Sequence, residues 1–454
     1  MILNTMKNTK YIILLLAAWF AAAAHMRAQT VDTTDEMATV HSAMTADQED
    51  CDSVTTDSAS TCVMMADSLF LADSTCLADD AAAGAMPWPL NVQRRLDRLV
   101  EHSMFETSQL GMMVFDLTAD SAIYCRGHRQ LLRPASTMKL ITAIAAIDKL
   151  GGSYQFRTSL YYNGKVDSGT LTGDVYCVGG FDPRFNADDM NAFVEGLKSM
   201  GVDTIRGRIL ADLTMKDDDR LGEGWCWDDD NPVLSPLLVS RKDVFLSRFV
   251  QELRESGVVL EVECGEAPLP NGAFVVCTRF HTIDQILMRM MKDIDNLYAE
   301  SMFYQLAAAS GERPAKAKHA RREIGRLIEK VGLQPSRYKI ADGSGLSLYN
   351  YVTPELEVAL LRYAYRNPDI FIHLYPSLPV AGHDGTLKRR MRGGFASGNV
   401  HAKTGTLTCI TSLAGYCTAP NGHVVAFSII NQGVMHDSNG RSFQNRVCEA
   451  ICRP

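Results

Sequence analysis

Ser136 and Lys139 lie three residues apart at the start of an apolar run, residues 140–147, that is typical of a buried helix. Residues i and i+3 share one face of a helix, so this spacing lets the lysine amine reach the serine hydroxyl. At a helix N-terminus, backbone N–H groups and the helix dipole favour developing negative charge. A lysine desolvated against apolar side chains can lose its proton near neutral pH. The pair therefore predicts a serine nucleophile, Ser136, with Lys139 as its base.

The four-residue pattern is weak by itself, because Ser336 and Lys339 repeat the same spacing. That second match precedes a polar, glycine-rich stretch instead of a buried helix, so we discard it. Without further support, a helix-capping serine beside a solvated lysine is the better interpretation of Ser136 as well.

The support lies near the other end of the chain, where Lys403, Thr404 and Gly405 fall inside a strand pattern, residues 400–406. Such a strand edge offers a cation, a hydroxyl and backbone groups to an extended peptide, and the glycine lets the peptide backbone approach closely. An ordinary exposed strand is the alternative for these three residues alone. The two motifs together, one near each end of the chain, are a strong joint signal for a serine acyl-transfer enzyme.

With these two motifs the chain resembles the serine penicillin-recognising enzymes, and more narrowly the class C low-molecular-mass D-alanyl-D-alanine carboxypeptidases/endopeptidases. The resemblance covers most of residues 87–454. It implies a serine beta-lactamase/transpeptidase-like α+β domain, with an antiparallel sheet and a helical layer, plus an inserted smaller domain. The stretches of sequence that carry it are residues 133–139, 173–178, 341–347 and 379–387.

The resemblance also implies a function and places its residues. Lys403 and Thr404 would hold the terminal D-Ala carboxylate of a peptidoglycan stem peptide. The backbone N–H groups of Ser136 and Thr406 would form the oxyanion hole, where loss of one donor typically costs about 3–4 kcal/mol of transition-state stabilisation. Hydrolysis of an acyl-enzyme on Ser136 would release D-Ala or open a peptide cross-link. Beta-lactams would acylate the same serine.

The middle motif of that family, SxN, is only half present. Its match lies at residues 293–300, where Asn296 keeps the asparagine and Ile294 replaces the serine. In the family that serine relays a proton toward the leaving amine, and general acid–base help of this kind contributes about 10²–10⁴-fold. Isoleucine cannot relay a proton, so Asp295, Tyr298 or a water would have to substitute.

A second spelling of SxN, at residues 397–399, does not fill the gap. Asn399 is four residues before Lys403 on the same predicted strand, which puts it ~13 Å away along the strand. The missing group should instead face Lys403 from the opposite wall. Phe181 is a further departure, in a Gly-Gly-Phe-Asp-Pro stretch where the family has a third glycine. The insertion between the first two motifs is short for class C, so we expect one inserted domain and a missing or vestigial second one.

Three function hypotheses follow. The first is an active serine carboxypeptidase/endopeptidase with Ser136, Lys139 and Asn296 as catalytic residues. The second, motivated by Ile294, is a catalytically impaired relative that binds wall peptides or partners. A beta-lactamase or other esterase-like use of the fold is a third possibility. A zinc peptidase is disfavoured, because there is no HExxH motif and the eleven His residues do not cluster with ligand spacing, so we expect neither metal nor cofactor.

Strand patterns occupy both ends of the globular part, with a hairpin near its start and three strands from residue 400 onward. Between them lie a strand-rich module and a mostly helical block, residues 281–331. A sheet built from both ends, with a helical layer and an inserted module, predicts an α+β fold. The expected domains are a catalytic domain at residues 87–160 and 278–454 and an inserted domain at residues 161–277.

The first 28 residues predict export. Lys7 and Lys10 precede a short apolar run, which is typical of a secretory signal peptide and predicts a periplasmic protein. An uncleaved membrane anchor is the alternative. Residues 29–86 carry twelve Asp and Glu residues and no Lys or Arg, which predicts a disordered acidic linker. Without both segments, the chain's 53 acids and 45 bases become 41 and 42, so nothing indicates a nucleic-acid surface. The oligomeric state is left open.

Twelve cysteines form no CxxC pair and no metal-ligand spacing. Export would permit disulfides. Cys264 with Cys277, and Cys409 with Cys417, are candidates to bridge neighbouring strands, and buried free thiols are the alternative.

Overall fold

The computed structural model describes residues 87–454. The predicted signal peptide and the predicted acidic linker lie outside these residues. Within the described range, no helix is long and apolar enough to cross a membrane.

The described residues form ten strands and eleven α-helices. The strands are β1 (Gln109–Asp116), β2 (Ser121–Arg126), β3 (Gln155–Asp167), β4 (Thr170–Val178), β5 (Thr204–Asp212), β6 (Val259–Glu266), β7 (Phe274–Thr282), β8 (His401–Leu407), β9 (Ile410–Thr418) and β10 (Val424–Gln432). The helices are α1 (Trp88–Val100), α2 (Met104–Thr107), α3 (Met138–Leu150), α4 (Ala187–Ser199), α5 (Phe245–Glu255), α6 (Ile283–Lys292), α7 (Asn296–Ala308), α8 (Ala317–Lys330), α9 (Pro354–Arg366), α10 (Pro368–Ser377) and α11 (Asp437–Cys452).

The first sheet joins the two ends of the described chain. Its order is β2-β1-β10-β9-β8, and every neighbouring pair is antiparallel. The N-terminal hairpin pairs with the last strand, and the sheet is built from both ends of the globular part, as the sequence predicts. This arrangement leaves β8, which carries the lysine–threonine–glycine motif, at one edge of the sheet.

Helices cover both faces of this sheet. Strand β10 is apolar along nearly its whole length because alternate side chains serve opposite faces. Ala426 and Ile430 pack into a core shared with the helical block, which includes α3, α7, α8 and α9. Phe427 and Ile429 pack on the opposite face against α1 and α11. Helix α3, apolar all round as predicted, is buried inside the helical block.

The second sheet contains the strands of the expected insertion. Its order is β6-β5-β4-β3-β7, and β5 runs parallel to both of its neighbours. Helices α4 and α5 bury their apolar faces against it around Phe193 and Phe249. Positions 160 and 277, which bound the expected domains, fall within β3 and β7. The α+β fold class is confirmed.

The two candidate disulfides are wrong. Strands β6 and β7 form opposite edges of the second sheet, so Cys264 and Cys277 are not on neighbouring strands. Cys409 lies in the turn before β9 and Cys417 near the far end of that strand. All nine cysteines among the described residues are free thiols.

Candidate active site

Ser136 is the middle residue of a 3₁₀ turn, Ala135–Thr137, that runs directly into α3. The turn is strained, because Ala135 has a φ of +49°. A β-carbon on Gly345 would lie 1.8 Å from the Ala135 carbonyl oxygen, so only glycine can pack against this turn. The serine is half-buried at the start of the buried helix.

Lys139, one turn further along, is fully buried. Its Nζ lies 3.0 Å from Ser136 Oγ, 2.8 Å from Asn296 Oδ1 and 2.8 Å from the Ser344 carbonyl oxygen. The amide and peptide oxygens can only accept hydrogen bonds, whereas the serine hydroxyl can also donate. The structure thus brings three of the predicted site residues together and adds a fourth group, the Ser344 carbonyl.

These contacts fix the direction of the lysine's lone pair. Burial lowers the pKa of Lys139 to about 8, although Asp342, Glu300 and Asp295 oppose the shift. A neutral amine has two N–H groups and one lone pair. The two acceptor-only oxygens take the hydrogens, so the lone pair of neutral Lys139 faces the Ser136 hydroxyl. That is the arrangement a general base requires.

Strand β8 forms the opposite wall of the site. A β-carbon on Gly405 would lie 2.8 Å from Ser136 N and 2.2 Å from Ser412 Oγ, so glycine is what allows β8 to approach the nucleophile. Thr406, the next residue, is exposed. From the sequence, Gly405 was expected to let a substrate backbone approach β8. The structure shows that it also lets β8 pack against the backbone amide of Ser136.

Lys403 and Thr404 precede that glycine. Lys403 is fully buried, and its Nζ donates to the Thr404 carbonyl oxygen at 3.0 Å. Burial, together with the neighbouring charge of Lys139, holds the pKa of Lys403 well below its ordinary value. The Thr404 hydroxyl donates to Thr386 Oγ1 at 2.8 Å. The two lysines therefore face one site from opposite sides, where an anionic group would relieve their mutual repulsion.

Asn296 is the first residue of α7, and Ile294 stands just before that helix with a φ of +58°. A β-branched residue in this left-handed region is a backbone outlier. Asp295 Oδ2 accepts from Arg241 at 2.6 Å and from Arg289 at 3.0 Å. The ring of Tyr298 lies under Arg289, 5.3 Å from its guanidinium carbon. Neither of these proposed substitutes for the missing serine hydrogen-bonds Lys139.

The two motif matches that we discarded have other roles. Asn399 exchanges hydrogen bonds with the backbone of Thr418 at 2.8 Å, which ties the start of β8 to the end of β9. Ser336 lies in a surface 3₁₀ turn, and Lys339 donates to Glu223 at 3.2 Å instead of reaching that serine. Neither pair resembles the contact between Ser136 and Lys139.

Three groups at the site went unrecognised in the sequence. Residues 341–347 were part of the resemblance but had no assigned role. In the structure, the carbonyl oxygen of Ser344 in this stretch accepts a hydrogen bond from Lys139. Thr386 belongs to another such stretch, and Glu300 to the SxN match. A backbone carbonyl cannot be recognised from residue type, because every residue has one. Glu300 could have been recognised, because it lies four residues after Asn296 and therefore on the same helix face. That spacing was a usable signal.

Solved structures share this fold. Penicillin binding protein 4 (dacB) from Haemophilus influenzae superposes with a TM-score of 0.72 at 23% identity, covering 80% of this chain and 100% of that one. Bd3459, a predatory peptidoglycan endopeptidase from Bdellovibrio bacteriovorus, gives a TM-score of 0.53 at 16% identity, covering 76% and 92%. At these identities the likeness shows the fold. The fold and the contact between Ser136 and Lys139 together define the class: an α+β protein with a serine–lysine pair in its site.

Sequence comparison narrows the class to a family. The profile of the D-Ala-D-Ala carboxypeptidase 3 (S13) family matches residues 92–239 and 237–451. The D-alanyl-D-alanine carboxypeptidase DacB of Haemophilus influenzae is 26% identical over 412 residues, covering 71% of this chain and 85% of that protein. The D-alanyl-D-alanine carboxypeptidase of Actinomadura sp. is 28% identical over 466 residues, covering 80% and 84%. The chain belongs to the D-Ala-D-Ala carboxypeptidase 3 (S13) family.

Proposed function

We propose that this chain hydrolyses D-Ala-D-Ala termini of peptidoglycan stem peptides through an acyl-enzyme on Ser136, with Lys139 as the base. The observation that carries the proposal is the set of acceptors around Lys139, which leaves its lone pair facing Ser136 Oγ. Membership of the carboxypeptidase family supports the substrate class. A solved relative, penicillin binding protein 4 of Haemophilus influenzae, has been captured with a beta-lactam, which supports beta-lactams as inhibitors.

The proposed reaction needs only groups already at the site. Lys139 takes the Ser136 proton as Oγ attacks the carbonyl carbon of the penultimate D-Ala. The amides of Ser136 and Thr406 stabilise the oxyanion, while Lys403 and Thr404 bind the terminal carboxylate. When the tetrahedral intermediate collapses, the C–N bond breaks and the departing amine receives the proton that Lys139 holds. Water then attacks the ester carbon while Lys139 takes its proton. The C–O bond to Ser136 breaks, and Lys139 returns the proton to Oγ as the shortened peptide leaves.

Ile294 affects the step at which the amine leaves. In the absence of the serine hydroxyl, Lys139 is the group that both contacts Ser136 Oγ and can carry a proton to the amine. We infer turnover that is slower than in relatives with a complete SxN motif, by part of the about 10²–10⁴-fold that general acid–base help provides. The second candidate function, an impaired relative that binds wall peptides, rests on the same residue.

The test uses a fluorescent penicillin and a diacetyl-Lys-D-Ala-D-Ala peptide. We expect covalent labelling and D-Ala release by the wild type, with both lost in Ser136→Ala. Ser336→Ala, which removes the discarded serine, is the matched control and should behave as the wild type. Labelling without D-Ala release would favour the impaired relative. A wild type that is neither labelled nor able to release D-Ala would overturn the proposal.

Location and domain organisation belong to the same proposal. We infer that residues 1–28 direct export and are removed, which leaves a periplasmic enzyme whose acidic segment, residues 29–86, precedes the catalytic part. The second sheet with α4 and α5 is proposed as the inserted domain, near residues 161–277, within a catalytic domain formed by residues 87–160 and 278–454. The N-terminal sequence of the exported protein would test the cleavage site, with Gln29 expected as its first residue.

A further inference from the structure

The stretch of residues 342–345, which we call the lysine loop, carries one of the three acceptors of Lys139. The Ser344 carbonyl oxygen accepts from Nζ at 2.8 Å, and Ser344 is fully buried. Gly345 packs so closely on Ala135 that the loop also supports the turn before the nucleophile. A shift of this loop would therefore move both the base and the serine that it serves.

A single carboxylate holds the loop from the side of α7. Glu300 Oε1 accepts from the backbone N–H of Ser344 at 2.8 Å and from that of Gly343 at 3.1 Å, and Oε2 accepts from Gly343 N at 3.3 Å. The Thr142 hydroxyl on α3 donates to the Gly343 carbonyl oxygen at 2.7 Å. Glu300 and Thr142 are both buried, so these contacts are shielded from water.

Asp342 closes the loop on its other side. Its two oxygens accept from the backbone N–H of Gly345 at 2.8 Å and of Ser347 at 2.7 Å. They also accept from the Trp225 indole at 2.8 Å and from the Asn350 amide at 2.7 Å. The backbone of the lysine loop is thus fixed by two buried carboxylates, Glu300 from α7 and the loop's own Asp342.

Glu300 also stands one helical turn after Asn296 on α7. One face of this helix therefore supplies the asparagine acceptor of Lys139 directly and the carbonyl acceptor through the lysine loop. Burying a carboxylate is unfavourable, and burial raises the pKa of Glu300 to about 8 in spite of its amide donors. A group retained at such a position needs a role beyond packing.

We propose that Glu300 is a positioning residue for the base: it fixes the Ser344 carbonyl, which takes one hydrogen of Lys139 and keeps the lone pair directed at Ser136. The inference rests on the proposed function and deepens it. With isoleucine at position 294, the Ser344 carbonyl and Asn296 are the two acceptor-only groups that Lys139 contacts within residues 87–454. If either acceptor moved, the lone pair would no longer be held toward Ser136.

The test measures the second-order rate constant for acylation by a fluorescent penicillin from pH 6 to 10. In Glu300→Gln the amide nitrogen would face the Gly343 N–H, which cannot accept a hydrogen bond, so the loop should loosen. We expect acylation at the high-pH plateau to fall about 10–100-fold, as is typical when a reacting group is misplaced by an ångström. The matched control is Glu323→Gln, which removes a buried carboxylate of α8 that pairs with Lys149 on α3 and with Arg326 on α8.

The midpoint of the pH profile provides a readout that general destabilisation would not change. The charged groups facing Lys139 are Glu300 and Asp295 from α7 and its cap, Asp342 from the lysine loop and Lys403 from β8. Removing the Glu300 charge leaves Lys139 easier to deprotonate, so the midpoint of acylation should move to lower pH in Glu300→Gln. It should stay in place in Glu323→Gln.

The outcomes separate the two proposals. A wild type that is not labelled contradicts the proposed function and, with it, the inference. A labelled wild type, with an unchanged plateau and midpoint in Glu300→Gln, overturns the inference alone. If Glu300→Gln fails to fold, Glu300→Asp decides, since it keeps the charge but shortens the side chain that reaches the Gly343 and Ser344 amides. We expect slower acylation with an unchanged midpoint there, and wild-type acylation in that variant would overturn the inference.

Discussion

At the scale of single residues, the site depends on how few groups Lys139 contacts. Its three acceptors account for every hydrogen that its ammonium form carries, and the two carbonyl oxygens cannot exchange roles with the serine. Because Lys139 has so few partners, the residue at position 294 matters: Ile294 stands where the resemblance expects a second hydroxyl. Ile294 also holds a φ of +58°, which is unfavourable for a β-branched residue.

Ile294→Ser should therefore raise turnover. A hydroxyl at this position would give the leaving amine a nearer proton donor, and we expect D-Ala release from the peptide to increase by about 10–100-fold, within the range for general acid–base help. Ile294→Ala is the matched control, because it removes the bulk and part of the backbone strain without supplying a hydroxyl. Equal rates in the Ser and Ala variants would show that the hydroxyl is not what the site lacks.

At the scale of elements, β8 and α9 each contribute one contact on which the site or its supporting sheet depends. The edge strand β8 lies against the nucleophile turn because Gly405 has no side chain. Helix α9 packs on β10 and buries Glu357, whose Oε2 accepts from Ser428 Oγ at 2.6 Å. The first contact concerns catalysis, and the second concerns the stability of the sheet that supports it.

Gly405→Ala should abolish most acylation. The new methyl would lie 2.8 Å from Ser136 N and 2.2 Å from Ser412 Oγ, so β8 must move away from the oxyanion site. We expect the rate of labelling by a fluorescent penicillin to fall about 10²-fold or more, comparable to the loss of one oxyanion donor. Gly265→Ala is the control on β6, where a methyl meets only Leu210 at 3.6 Å. Labelling of Gly405→Ala at the wild-type rate would show that the position of Ser136 does not depend on the close packing of β8.

Glu357 should make stability depend on pH. Burial raises its pKa to about 7 from an ordinary 4.5, so between these values the folded chain binds the proton that the unfolded chain releases. The stabilisation is complete below about pH 4.5 and is lost as the pH rises through 7. Relative to the wild type, Glu357→Gln should therefore gain about 1–3 kcal/mol in the free energy of unfolding between pH 5 and 8.

Urea denaturation at pH 5 and pH 8 would measure this difference. Glu329→Gln, at an exposed position on α8, is the matched control and should follow the wild type at both pH values. Parallel behaviour of Glu357→Gln and the wild type would mean that the buried carboxyl does not titrate in this range.

At the scale of the whole molecule, the catalytic groups come from segments far apart in the sequence. Ser136 and Lys139 follow the N-terminal hairpin, Asn296 follows the second sheet, and Lys403 lies on a C-terminal strand. The first sheet assembles them because β1 pairs with β10, which joins the two ends of the described chain. The site is therefore complete only when the fold is closed.

The predicted acidic segment should be dispensable for chemistry. All of the proposed site residues and both sheets lie within residues 87–454. We expect a chain without residues 1–86 to acylate at a rate within about twofold of the form beginning at Gln29, since surface changes away from the site have small effects. Labelling rates of the two forms, with melting temperatures as the check on folding, would measure this. A large loss in the shorter chain would give the segment a role at the site.

Much of the fold was predictable because local pattern and burial agree. Alternating or continuous apolar runs marked the five strands of the first sheet, and the apolar run after Ser136 marked α3. The disulfide expectations failed for the opposite reason. Local sequence pattern does not determine the order of strands in a sheet. Cys264 and Cys277 were therefore expected on neighbouring strands, although three other strands separate β6 and β7.

Residue type and spacing alone determined the nucleophile candidate, its lysine, the strand motif and the position of Ile294, because these depend on short-range geometry along one helix or strand. The partners of Lys139 were decided by tertiary structure. The Ser344 carbonyl is a backbone group that every residue possesses, and only the packing of the lysine loop between α3 and α7 makes it a ligand of the base. Likewise, the sequence showed that the serine of SxN is missing, while the fold showed which groups still hold the lysine in its absence.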